Sequence, residues 1–539
     1  MVKQDYPFSL IVDTSTSIGL YHYSAVLIQT LEREKPVVYF YKLIEVGSDS
    51  TANGLLNALK VELTRDPADT SSFFKKNLVG FGADGASVNL GHKGGFAKKL
   101  EEYFLEDRTL YTVWCMPHRL ELAIKAALKA VPEMNKFDET ITAVTNFYNS
   151  RSYKRKAHLR QLALEENLDL YELHYAFRER WVMSDYTSVK ALIKSWPLLV
   201  KDLEIIQTDI DFKNDWPIAK GIQNLLTKRY LVLGLHFVMD LLEGLKRFSL
   251  MAQQSAGILI GKEDFRVNLI NLPLNIKENN GAHLTFLLKF AICEEIKGCT
   301  IENFMNGQKV LFKEVELIQD NNRFMEFKNE FLDTLAAELG RYFPENSVKD
   351  FDIFVPKKLP RTSDAASTYG HDEIQSIAQR FNESPLIASR QWQDLLWKLI
   401  SLPDFCDRIN WTPERFWATY LRSHEIHWGK TIQKLIRIVL VLPANSADAE
   451  RSFSIMNHIK YDRRARLKSE NLDHLLRIRI NGPKELDRFA SAKYARAWVN
   501  AGHLRTDDPS QIRKRKREVF DEEDVEEDLE QVLMSSDLF

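Results

Sequence analysis

Cysteine is scarce in this chain of 539 residues: there are four, Cys115, Cys293, Cys299 and Cys406. Scattered over that length they make no disulfide framework, so an intracellular, reducing compartment is expected. Long apolar runs are missing too. None reaches the roughly 18 residues that cross a bilayer, so no membrane partner is expected, and Met1-Val2-Lys3-Gln4-Asp5 is not a secretory leader. Net charge is nearly absent at −2, but that total conceals a local asymmetry. From Arg451 to Lys468 six Lys/Arg face one acid, Asp462, whereas eight of the ten residues from Asp521 to Glu530 are acidic. Between them lies Arg513-Lys514-Arg515-Lys516-Arg517. The rest is ordinary: 45% hydrophobic and 27% charged residues describe a globular chain long enough for two to four domains.

Phe8-Ser9-Leu10-Ile11-Val12-Asp13 reads as a buried strand that ends on a carboxylate, followed by the polar turn Thr14-Ser15-Thr16-Ser17. Strand-like runs follow at 21–28 and 37–46, with Pro36 marking the break between them, and connections this short imply an antiparallel meander. The pattern then alternates: helix at 51–63, strand at 78–81, helix at 95–103, strand at 110–114, helix at 118–131. An α/β fold follows. A second acid, Asp84, ends the 78–81 strand inside Phe81-Gly82-Ala83-Asp84-Gly85-Ala86-Ser87, where small residues permit close backbone approach. Neighbouring strands would bring Asp13 and Asp84 together at their carboxyl ends, where open α/β sheets bind ligands. Two unrelated turn aspartates would read the same.

Far downstream, an apolar run at 435–442, broken only by Arg437, meets Pro443. Small polar residues then lead into a segment whose Phe453, Met456 and Ile459 fall three apart. That spacing marks a helix start, capped by Asn445 or Ser446, with Asp448 and Glu450 in its first turns where the positive helix end favours carboxylates. A well-capped core helix fits this stretch equally.

The run Ser446-Ala447-Asp448-Ala449-Glu450-Arg451-Ser452-Phe453-Ser454, with Lys460, Arg463, Arg464, Arg466 and Leu467 behind it, closely resembles the carboxy-terminal signature of the hAT superfamily of DNA transposases. The resemblance implies a ribonuclease H-like mixed sheet flanked by helices, interrupted by a large all-α insertion and followed by carboxy-terminal dimerisation helices. It makes Glu450 the third member of an acidic triad with Asp13 and Asp84, whose stretch through Asn89, Gly91, Gly94 and Gly95 looks like the family's second acidic motif. Cys115-Met116-Pro117-His118 is similar to a further family motif whose histidine, here His118, lies close to the active site; a structural zinc there lacks the remaining ligands. Arg178-Glu179-Arg180-Trp181 resembles the family's Arg-Trp motif, placing Arg180 and Trp181 on nucleic acid, where the indole can stack on an unpaired base. A core tryptophan is the rival reading.

The domain boundaries expected are 1–136 for the first part of the core, 137–434 for the all-α insertion, 435–485 for core completion and dimerisation, and 486–539 for the tail. Within the insertion, 189–203 and 230–248 have helical spacing and 356–372 reads as an exposed loop or linker. The tail is expected to be disordered from about 507, and its basic cluster resembles a nuclear-import signal, so the nucleus is the expected compartment. Three gathered carboxylates repel one another, and such a site makes sense only around cations; oxygen-only ligands suit two Mg²⁺ or Mn²⁺ ions. In this reading Asp13 bridges both while Asp84 and Glu450 hold one each, for cleavage and transfer of a DNA strand. Arg451, Lys460, Arg463, Arg464 and Arg466 could neutralise phosphates, or form a solvated or interface face. Leu472, Leu475, Leu476 and Ile478 supply a stripe for a homodimer or higher oligomer, or for a helix buried within one subunit. Active members of the family usually carry a zinc-binding module ahead of the first acid, and here the first strand begins almost at Met1. The chain is then either truncated or has lost target-end recognition. The alternative is a host-adopted, catalytically silent nuclear protein acting through dimerisation and chromatin or DNA binding.

Overall fold

Alternation along the first strand decides which way the site faces. The structure, a computed structural model, describes residues 5–16, 22–46, 50–65, 70–105, 108–149, 153–173, 181–320, 324–345, 348–423, 428–461, 464, 466–482, 493 and 496–497. Strand β1 (Phe8–Thr16) buries Phe8, Leu10 and Val12 in one apolar cluster with Leu55, Leu59, Phe74 and Phe104. Successive side chains point to opposite faces, so Ser9, Ile11 and Asp13 look the other way. β2 (His22–Glu32) and β3 (Lys35–Glu45) join antiparallel, and β4 (Leu78–Ala83) and β5 (Tyr111–Trp114) join parallel, in the order β3-β2-β1-β4-β5.

Helices Ala52–Arg65, Phe96–Phe104 and Met116–Ala130 stand where periodicity put them, and the fold is mixed α/β. Pro36 does not mark the break between β2 and β3. The chain reverses at Arg33-Glu34, both at positive φ (49° and 62°), and Pro36 sits inside β3 opposite Leu31. An edge strand tolerates the missing N–H.

The middle of the chain is mostly helical, with Trp181–Ile206, Arg229–Ala252, Lys262–Glu278 and Phe324–Tyr342 sharing one large core. It is not all-α. A small sheet, β6 (Ile292–Cys293), β7 (Ile296–Lys297), β8 (Val310–Phe312) and β9 (Val315–Glu316), runs in the order β7-β6-β8-β9. Its hairpins turn through Glu294-Glu295 and Lys313-Glu314, all at positive φ. Cys293 and Cys299 are paired as a disulfide across the first hairpin, a single local link, while Cys115 and Cys406 are free. The segment 356–372 is largely exposed, as expected, but anchored: Pro356, Leu359 and Ala366 are buried, and the Trp392 indole donates to the Tyr369 carbonyl at 3.0 Å.

By contacts the chain divides into Met1–Leu476 and Arg477–Phe539. In the second unit the described residues are the end of the helix Ser469–Asn481, Gly482 and three residues beyond. The basic cluster 513–517 and the acidic run after it lie outside the described residues. Among the described residues no helix is long and apolar enough to cross a membrane.

Candidate functional site

In the parallel pair, Ser9 stands opposite Gly80 and Ile11 opposite Gly82. Two residues further along each chain come Asp13, on β1, and Asp84, just past the end of β4. Paired strands lie about 4.8 Å apart and in-register residues share a face, so the two acids arise at neighbouring strand ends, Asp13 on the face that carries Ile11 and Gly82. Those glycines are there because another segment lies directly on them. A Cβ on Gly82 would stand 2.8 Å from Cγ of Pro443, and one on Gly80 2.9 Å from Cδ2 of Leu442. Beyond Pro443 the helix Ala447–Ile459 packs on β1 and β2 and carries Glu450 in its first turn. Gly82→Ala should therefore cost about 1–3 kcal/mol by overpacking, and Pro443→Ala in the same chain should recover part of it. Urea unfolding of the single and double variants reads this, and strictly additive losses would show that the two positions do not press on each other.

The start of the Glu450 helix is held from two sides. On the sheet side, Ser446 N–H donates to Cys115 Sγ (3.3 Å) and Met116 N–H to the Ala444 carbonyl (3.3 Å). Burial pushes the Cys115 thiol up to about 11, with the nearby Glu450 charge acting the same way and Ser446 opposing. Cys115 therefore stays a neutral thiol that accepts one of the helix's orphan N–H groups. On the other side stands the loop 253–257, after the helix Arg229–Ala252. Asn445 Nδ2 donates to the Gln254 carbonyl (3.0 Å), Ala444 N–H to that of Gly257 (2.8 Å), and Ala256 N–H to Asp448 Oδ2 (3.0 Å). Asn445, not Ser446, supplies the side-chain cap, its Oδ1 accepting from Ala447 N–H at 2.9 Å. Asp448, which also accepts from Ser255 Oγ at 2.8 Å, is an anchor.

Asp84 Oδ1 accepts from Asn89 Nδ2 (2.6 Å) and Ala86 N–H (3.3 Å), which fixes the carboxylate. Asn89 itself is buried, and its Oδ1 has no hydrogen-bond partner. Asp13 Oδ1 accepts from Thr14 N–H at 2.9 Å. As the side chains stand, no group of three or more His, Cys, Asp or Glu among the described residues could hold a metal ion. His118 is exposed in the first turn of the helix that follows Cys115.

The basic residues separate. Lys460 is not available to phosphate: it is 1% exposed and its ammonium donates to the Tyr23 hydroxyl at 2.9 Å. Arg451 is exposed but tied down, pairing with Asp448 at 2.6 Å and donating to the Gln253 carbonyl at 3.0 Å. Arg464 and Arg466 are exposed. Arg463 and Arg180 lie outside the described residues. Trp181 opens its helix, but its side chain also lies outside what is described.

The leucine stripe also divides. Leu472 and Leu476 are buried within the chain, while Leu475 and Ile478 are 37% and 66% exposed. Between the buried pair, Asp473 accepts from Leu43 N–H at 2.7 Å, docking the helix on the edge strand β3.

The hAT family C-terminal dimerisation region matches residues 400–481. The match starts well before the boundary expected at 435. It takes in the helices Pro413–Arg422 and Lys430–Val441 as well as the Glu450 helix and Ser469–Asn481.

Proposed function

From the premise that this chain is a hAT-family transposase or a protein derived from one, we infer that it works on DNA as a dimer, with Asp13, Asp84 and Glu450 as the acids of a strand-cleaving and strand-transferring centre. The observation that carries this reading is the juxtaposition of two neighbouring strand ends with the helix that packs on β1 and β2, whose lead-in Leu442-Pro443 lies on Gly80 and Gly82. The 3-2-1-4-5 strand order, with β2 alone reversed between its neighbours, supports a ribonuclease H-like core. Carboxylate oxygens suit Mg²⁺ or Mn²⁺, and bound ions would offset the repulsion among the three acids. Such ions supply activation of a water or 3′-hydroxyl and stabilisation of a leaving oxygen. The chain's own part is positional. Asn89 fixes Asp84, while Cys115, Asn445 and the loop 253–257 fix the helix that presents Glu450. Arg464 and Arg466, which are exposed, are proposed to meet phosphates, with Arg180 and Trp181 assigned by motif. The basic cluster 513–517 supports action in the nucleus.

The test is nicking of supercoiled DNA by the full chain in Mg²⁺, beside Asp13→Asn, Asp84→Asn and Glu450→Gln. Cleavage by the unaltered chain and its loss in all three variants is the expected result. Cleavage that survives the substitutions removes the triad assignment. Binding without cleavage by the unaltered chain makes it the silent DNA-binding relative. Light scattering should give at least a dimer, and a strict monomer would count against the assembly.

A further inference from the structure

Along β5 lies a cavity of about 290 Å³ lined by residues that include Tyr111, Trp114, Arg119, Leu259, Arg341 and Tyr342. Its back wall is β5, which ends the sheet, so the strand's outer edge is paired by no other described strand. The volume is at the small end of ligand sites and suits one compact flat group.

Two features give the cavity a chemical character. Arg119 is 8% exposed and donates from Nε to the Tyr342 carbonyl at 2.6 Å, yet no carboxylate among the described residues pairs with it. Burial brings its pKa down to about 10, the mark of a cation held without a counter-charge. Trp114 and Tyr342 meet at 5.8 Å between centroids with planes 66° apart, so the cavity has aromatic walls. An anion beside a flat π-face is what a nucleotide offers.

One wall of the cavity also adjoins the turn that carries Asp84. Any Cβ on Gly85, the residue after Asp84, would run into the Trp114 indole, and Trp114 directly precedes Cys115. A strand whose phosphate lay at Asp84 would have its neighbouring base within reach of this wall. We propose that the cavity receives one unpaired nucleotide of the DNA strand, its base against Trp114 and Tyr342 and its phosphate at Arg119. This rests on the preceding reading that the protein acts on DNA, and it adds where the strand is gripped.

The test compares two single-stranded oligonucleotides, one with a central 2-aminopurine and one with an abasic residue at that place, on the unaltered full chain, Trp114→Leu and Arg119→Gln. Melting curves confirm that each variant is folded. The unaltered chain should bind the 2-aminopurine strand about five- to a hundredfold more tightly than the abasic one, with quenching of the probe. In folded Trp114→Leu the preference and the quenching should collapse while binding of the abasic strand changes little, and in folded Arg119→Gln both strands should bind more weakly. Either folded variant alone suffices. A preference that persists undiminished in Trp114→Leu, undiminished binding of both strands by Arg119→Gln, or equal binding of both strands by the unaltered chain overturns the cavity assignment and leaves DNA action standing. Failure of the unaltered chain to bind either strand defeats both.

Discussion

Acidification from pH 7 to pH 4 should remove about 3 kcal/mol of stability through one side chain, His236. The ring is buried in the helix Arg229–Ala252, edge-on to Phe312 at 5.7 Å, with Nδ1 bonded to the Val232 carbonyl at 2.8 Å. Burial is the main cause that lowers its pKa from 6.5 to about 4; nearby His283 and Lys313 act the same way, and the Val232 carbonyl opposes them. The unfolded chain takes up this proton near 6.5, whereas the folded one waits until about 4. Between those values the unfolded state binds more protons, so stability is full above about 6.5 and falls as pH drops through the window. Two and a half units at about 1.4 kcal/mol each give the size of the effect. Urea unfolding at pH 7 and pH 4 of the natural chain and of His236→Leu isolates this contribution. The natural chain should lose about 3 kcal/mol more than the variant, and equal losses would sink the assignment. The same helix ends at the loop 253–257 that grips the Glu450 helix, so the acid-sensitive residue stands one element away from the site.

Much of the sheet could be read from pattern because its strands are apolar runs with acids at their ends, and a run of six buried residues such as Leu78–Ala83 has few alternatives. That Asp13 and Asp84 stand at neighbouring strand ends was legible for the same reason. Other parts of the site left no such mark. The loop 253–257 holds the Glu450 helix largely through backbone carbonyls and an N–H, which any sequence possesses. Lys460 looks like its basic neighbours until folding brings Tyr23, far away in sequence, beneath its ammonium. The strands β6 to β9 have two or three residues each, too few to show a period of two. In the stripe from Leu472 to Ile478 the spacing was real, but its split into buried and exposed members depends on Asp473 reaching the backbone of β3, a contact no helical pattern encodes.

Replacing Asp202 by alanine should destabilise the chain by about 3–5 kcal/mol. Asp202 lies in the helix Trp181–Ile206 with no solvent exposure, and its two oxygens serve two other helices. Oδ2 accepts from the Tyr148 hydroxyl at 2.7 Å, from Asn135–Asn149, and Oδ1 meets His158 Nδ1 at 2.7 Å, from Tyr153–Glu165. Burial raises the Asp202 pKa while both hydrogen bonds pull it back, and burial together with the facing carboxylate drives the Tyr148 hydroxyl well above its ordinary value. Alanine would strand the buried Tyr148 hydroxyl, at about 1–3 kcal/mol, would leave a cavity where the carboxylate stood, and would release the His158 imidazole, which is 26% exposed and can turn to water. Asparagine keeps an acceptor for Tyr148 and should cost clearly less than alanine. Tyr148→Phe should recover part of the alanine loss, because the hydroxyl is then no longer there to be stranded, with a coupling of about 1–3 kcal/mol in the double-mutant cycle. Chemical unfolding of the four chains measures it. A loss below about 1 kcal/mol for Asp202→Ala would mean that water replaces the carboxylate without penalty, and that the three helices are joined by their apolar contacts alone.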